Sequence, residues 1–215
     1  MRDGTSPEIE NESQRTYINK VKNEFGPIPQ RTYHTPMEAG FDPAIDPKGG
    51  CVKDSVPYGK IIGILMYCCQ TRYDIVYATH LLAGYITTCQ TKHWMAAKRV
   101  FYYLIATNDY VLVLGARSNR PLEAYADASF ARETKSRSRT GGVLQYFGST
   151  ISVISSVQRL ISMSTAEAEY ICLNDVARLS LFGKQLLETM GTMIQGPVTI
   201  HEDNQAAILL AESNK

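Results

Sequence analysis

The chain is short of the residues that staple extracellular scaffolds. Its 215 residues include five cysteines: Cys51, Cys68, Cys69, Cys89 and Cys172. None forms a Cys-x-x-Cys pair, and no histidine stands at zinc spacing from them. The odd count and the adjacent Cys68–Cys69 argue against a disulfide framework, so a reducing, intracellular setting is expected. An excess of either charge is also missing. Lys and Arg total 22 and Asp and Glu total 21, for a net charge of +1. No global basic field advertises nucleic acid, and any such surface must be local. No apolar run reaches the roughly 18 residues that a membrane span needs, so no membrane partner is expected. The opening "MRDGTSPEIENESQ" is polar and shows no signal peptide. What remains, 44% hydrophobic and 20% charged residues, is the make-up of an ordinary globular chain with one large domain or two small ones.

Along the chain, Ile18, Val21 and Phe25 are spaced three and four apart, which predicts a short amphipathic helix stopped by Gly26 and Pro27. Residues 26–57 are rich in Pro and Gly and read as a linker or irregular arm. Three helical stretches follow over about 55–107. Their expected faces are Ile62, Leu65, Met66 and Cys69; then Ile75, Ala78, Leu82 and Tyr85, with Asp74 as N-cap; then Trp94, Ala97, Phe101 and Leu104. After "GARSNRP" the texture changes. "LEAYADAS", "TGGVLQYFG" and "STISVISSV" read as a three-stranded meander. A long helix follows, with a stripe of Tyr170, Leu173, Ala177 and Leu181 and a stop at Gly191. "GPVTIHED" is a fourth strand, and "NQAAILLAES" starts a last helix.

Three acids stand out in that order: Asp127 ending the first strand, a Glu at the start of the long helix, and Asp203 ending the fourth strand. Taken singly, each reads as a turn, cap or surface residue. Taken together, the ends of a central strand, its parallel neighbour and a packed helix can meet at one sheet edge. Three carboxylates there would repel unless cations sat between them. Hard oxygen ligands suit Mg²⁺ or Mn²⁺, and two ions about 4 Å apart could clamp the attacking and leaving oxygens of a phosphodiester. Of the helix glutamates, Glu167 fits a capping box with Ser164 and reaches back to its N–H, while the face of Glu169 continues through apolar Leu173 and Val176. Glu169 is therefore the better ligand. His201, two residues before Asp203, reads as structural.

The texts "YADASFA", "SMSTAEAEY" and "HEDNQAAI" resemble the ribonuclease H domain of copia-type LTR retrotransposon polyproteins, in family order and spacing. "TRYDIVYAT", "HWMAAKRVFYYL" and "TNDYVLVL" resemble the helical segment that joins polymerase to ribonuclease H in that family. "QRTYINKVKNEFG" and "HTPM" look like the tail of its reverse transcriptase. The resemblance implies three segments: 1–54, reverse transcriptase tail and irregular linker; 55–117, helical connecting segment; 118–215, ribonuclease H-like domain. The implied fold is α/β, a ribonuclease H-like mixed sheet flanked by helices and preceded by a small helical unit. Asp127, Glu169 and Asp203 match the family's catalytic, metal-holding acids, with two Mg²⁺ or Mn²⁺ ions. The implied chemistry is hydrolysis of the RNA strand of an RNA–DNA hybrid, with the 2′-hydroxyl marking the RNA. The implied partners are the hybrid and the rest of Pol, reverse transcriptase and integrase, in a cytoplasmic particle or the nucleus. In this setting Arg132, Lys135, Arg137 and Arg139 become candidate phosphate contacts.

The chain also departs from the family pattern. A fifth strand and a fourth metal-site residue would lie beyond Lys215. Val153 takes a position where the family shows Trp, Arg159 is nearly the only charge where lysines cluster, and no Asp-Asp pair of a polymerase occurs. The alternative expectation is a non-enzymatic retrotransposon remnant that at most binds hybrid weakly.

Overall fold

The computed structural model describes residues 12–114, 120–131 and 136–213. The described residues divide into two compact units, one running up to Leu112 and one from Val113 onward. Among them, no helix is long and apolar enough to cross a membrane.

The first unit holds α1 (Glu12–Val21), α2 (Tyr58–Cys68), a 3-10 turn (Tyr73–Ile75) leading into α3 (Val76–Ala83), and α4 (Thr91–Ala106). Ile18, Val21 and Phe25 join the same core as Ile61, Leu65, Leu82 and Phe101. Phe25 meets Phe101 edge-on at 5.0 Å and Trp94 at 5.9 Å, a geometry that aromatic quadrupoles favour. The Pro- and Gly-rich arm is tied down by hydrogen bonds between its backbone and the Gln90 side chain. Gln90 Nε2 donates to the carbonyls of Asp46 and Gly49, and its Oε1 accepts the Asp46 N–H. His93 Nδ1 accepts the Gln90 N–H at 2.9 Å. Nε2 therefore carries the ring proton and faces the Pro43 carbonyl at 2.9 Å.

Two details differ from the sequence expectation. On α2, Met66 is exposed and the buried set is Tyr58, Ile61, Ile62, Ile64, Leu65 and Cys68. That helix is apolar nearly all round, so its periodicity could not single out a face. Asp74 does not cap α3. Its carboxylate takes two bonds from the buried Arg72 guanidinium and one from the Tyr103 hydroxyl. Burial alone would raise the Asp74 pKa, but the bonds from Arg72 and Tyr103 prevail and hold it low.

The second unit runs β1 (Leu122–Ser129), β2 (Arg139–Tyr146), β3 (Ser149–Val157), α5 (Thr165–Thr189), β4 (Thr199–His201) and α6 (Gln205–Ser213). The sheet order is β3-β2-β1-β4. β1–β2 and β2–β3 are antiparallel and β1–β4 is parallel, a mixed sheet within an α/β chain. Phe147 and Gly148, both at positive φ (46° and 78°), form the two-residue turn between β2 and β3, which matches strand twist. Leu122, Ala124 and Ala126 of β1 pack with Leu144, Cys172 and Val176.

α5 approaches the sheet closely because the contact is built from small residues. A Cβ at Gly142 would lie 2.7 Å from both Ile154 and Val176 side-chain atoms. The buried line of α5 is Ala168, Glu169, Cys172, Val176, Ser180 and Gly183. The expected stripe is thus one position out, with Tyr170 and Leu181 exposed. Gly191, at φ +87°, ends the helix as expected, its N–H bonding the Glu188 carbonyl at 3.0 Å.

Candidate metal centre

Because β4 runs parallel to β1, both strands end at the same edge of the sheet. Asp127 lies near the end of β1, Glu202 and Asp203 follow the end of β4, and Glu169 lies in the second turn of α5. Glu169 is buried, 8% exposed, and its Oε2 accepts the Ala128 N–H at 2.7 Å. This bond ties the α5 carboxylate to β1, one residue beyond Asp127. Further along α5, the Cys172 thiol donates to the Asp127 and Gly141 carbonyls. Gln158 holds the helix start: its Nε2 donates to the Ala168 carbonyl at 2.8 Å, and its Oε1 accepts the Ser162 hydroxyl.

Carboxylate oxygens of Glu169, Glu202 and Asp203 lie within 4.8 Å of one another. Asp127 is not part of that close group. Strand alternation places it on the face opposite the buried Ala126, which packs toward α5. Its charge still reaches the group. The Glu169 carboxyl is pushed up to about 7, chiefly by burial, then by the negative charges of Glu202, Asp127 and Asp203, against the Ala128 N–H. Glu202 is raised as well, by burial first and with Asp203 and Asp127 adding to it. A charged group there would have to offset both desolvation and mutual repulsion, which divalent cations do.

Glu202 escapes sequence reasoning because alternation would send it to the opposite side from Asp203. β4 ends at His201, so the alternation lapses and both acids turn to one place. The signal present in the sequence is the adjacent pair in "HED". Asn204 accepts the Ala207 N–H at 3.1 Å and caps α6. Glu167 behaves as a cap residue, with a shift: Ser164 Oγ accepts the Glu167 N–H, but Glu167 Oε2 accepts from Met163 rather than from Ser164. His201 is structural, bonded to Glu123 at 3.0 Å and stacked on Tyr125 at 4.6 Å.

Of the four candidate phosphate contacts, Arg137 and Arg139 fall among the described residues. Arg132 and Lys135 lie outside the described residues. Arg137 is partly exposed. Arg139 departs from the expectation of a free phosphate contact. It is 5% exposed, and its guanidinium donates to Ser155 Oγ at 3.2 Å. The cause is its place on β2, paired with Ser129 and Val157 rather than in the loop.

Comparison with known proteins bears on the whole chain. Over 211 residues it is 30% identical to the Retrovirus-related Pol polyprotein from transposon TNT 1-94 of Nicotiana tabacum, covering 94% of this chain and 16% of that protein. It is 31% identical over 204 residues to the Retrovirus-related Pol polyprotein from transposon RE2 of Arabidopsis thaliana, covering 92% of this chain and 14% of that protein. It is also 33% identical over 126 residues to Secreted RxLR effector protein 161 of Plasmopara viticola, covering 58% of this chain and 89% of that protein. No protein-family model and no solved structure matches. The chain thus spans 14–16% of the length of these two Pol polyproteins. It belongs to the retrovirus-related Pol polyproteins of copia-type transposons.

Proposed function

We propose that the second unit is a ribonuclease H-like nuclease that cuts the RNA strand of an RNA–DNA hybrid during retrotransposition. The observation that carries this reading is the close group of Glu169 from α5 with Glu202 and Asp203 after β4, at the end of a β3-β2-β1-β4 sheet where the charge of Asp127 on β1 also reaches Glu169. The donor set fits hard divalent cations: all its side-chain donors are carboxylates, and the Glu202 Oε2 is buried with no hydrogen-bond partner among the described residues. Asp127, Glu169 and Asp203 would hold Mg²⁺ or Mn²⁺, with two ions expected. When bound, the ions would neutralise charge on the scissile phosphate and lower the pKa of water.

The chain's own residues have separate tasks. The Ala128 N–H orients Glu169, and Gln158 fixes the turn of α5 from which it projects. Asp127, near the end of β1, and Asp203, after β4, are both exposed and open to a duplex laid across this edge. Arg137 is the described cation of the hairpin best able to meet phosphate, and the 2′-hydroxyl would distinguish RNA from DNA. Reverse transcriptase and integrase portions of the same polyprotein are the expected partners.

The test uses the full chain with an end-labelled RNA–DNA hybrid and Mg²⁺. Short RNA products are expected, lost on chelation and in Asp127→Asn, with the far-UV spectrum unchanged. Cleavage that persists in Asp127→Asn, or an intact hybrid with the folded wild-type chain in both Mg²⁺ and Mn²⁺, would overturn the reading.

A further inference from the structure

We infer that Glu202 is itself a ligand of the divalent ion at this edge, a fourth carboxylate drawn from the residue next to Asp203. The inference rests on the metal-dependent reading above and adds a residue to it. The short strand β4 ends at His201, and the next three residues have no regular structure before α6 begins at Gln205. In that stretch the Asn204 N–H binds Glu202 Oε1 at 3.0 Å and fixes the carboxylate plane. This turn accounts for one oxygen only. The other, Oε2, is buried and, among the described residues, has no hydrogen-bond partner.

A buried carboxylate oxygen left alone is costly unless a cation or donor meets it. Its neighbours here are acceptors, not donors: Glu202 shares a 4.8 Å cluster with Glu169 and Asp203. Opposite oxygens on one Mg²⁺ stand about 4.2 Å apart, so this spread is close to that of a single ion's ligands. The oxygen without a partner and the compact acidic group are separate observations, and one hard divalent cation satisfies both. Glu202 Oε1 keeps its backbone bond throughout, so that bond pre-orients the ligand instead of competing for it.

The test is Mn²⁺ binding to the full chain at pH 7.5, read by calorimetry and by the electron paramagnetic resonance of free Mn²⁺. Glu202→Gln should raise the Kd by at least about tenfold. Glu167→Gln, which alters the helix-start acid bonded to Met163, should leave it unchanged. Thermal melts in chelator should show Glu202→Gln at least as stable as wild type, because a like charge is removed from the group. Unchanged Mn²⁺ affinity in Glu202→Gln, with loss in Asp203→Asn, would overturn the role of Glu202 and leave the nuclease reading standing. A wild-type chain that binds no Mn²⁺ at millimolar concentration would overturn both.

Discussion

Glu169→Gln should make the metal-free protein more stable while removing the metal-dependent cleavage proposed above. The wild-type carboxyl is raised from 4.5 to about 7, first by burial and then by Glu202, Asp127 and Asp203. That rise means the charged form is about 3 kcal/mol less favourable in the folded chain than in the unfolded one. Between pH 4.5 and 7 the folded state therefore holds more protons, and stability falls as pH rises through that window. Above about pH 8 the whole cost applies, and below about pH 4 it is absent. Glutamine carries no charge at any of these pH values. Its amide oxygen can keep the Ala128 N–H bond, and its NH₂ faces two carboxylate acceptors. In chelator, Glu169→Gln should gain about 1–3 kcal/mol at pH 8 and nothing at pH 4. The probe must report the right unit. The single tryptophan, Trp94, lies in the helical unit, so its fluorescence would follow the wrong transition. Native-state hydrogen exchange of the β1 amides, with Ala128 foremost, follows the sheet. A gain that does not change between pH 4 and pH 8, or a loss at pH 8, would refute the electrostatic account.

Three further substitutions probe the two units. Asp74→Asn removes the partner of Arg72, which is 5% exposed, yet leaves Arg72 its bonds to the Thr107 carbonyl and hydroxyl. Because the Asp74 side chain is 35% exposed, a loss of about 1–2 kcal/mol is expected in urea unfolding followed by Trp94 fluorescence, shrinking as pH falls through the carboxylate range because the native carboxyl is held low. Gly142→Ala would drive a methyl into Ile154 and Val176 and should cost about 1–3 kcal/mol. Gly63→Ala, on the exposed side of α2 with nothing within 4 Å of the new methyl, should instead stabilise by about 0.5–1 kcal/mol. Equal melting shifts for the two glycine variants would contradict the close approach of α5 to the sheet.

Much of the element order is legible in the letters. Turn residues separate the meander strands, and Gly191 marks a helix end. Helix faces were harder, for opposite reasons in the two units. α2 has apolar residues on every side, so any stripe can be drawn through it. α5 turns Leu181, Phe182 and Leu186 outward, while Ala168, Cys172, Val176, Ser180 and Gly183 form its buried line. Hydropathy favours bulk, but close packing selects small volume. The acids divide in a similar way. Glu169 could be told from Glu167 because helix geometry separates residues two apart. Glu202 could not be found by periodicity, because the strand stops just before it. Arg139 is not free to meet phosphate because, just before the expected start of the second strand at Thr140, it is already paired in β2.

The parallel pairing of β1 with β4 also sets the expected timetable of assembly. Glu123 faces Thr199 across the ladder, 76 positions later in the chain. The meander needs only nearby partners and can close early, whereas β4 must wait for the 25-residue α5 to be made and docked. The expected order brings the acids together last. A ribosome that has delivered β3 but not yet β4 holds a chain with its sheet begun and its acids still apart.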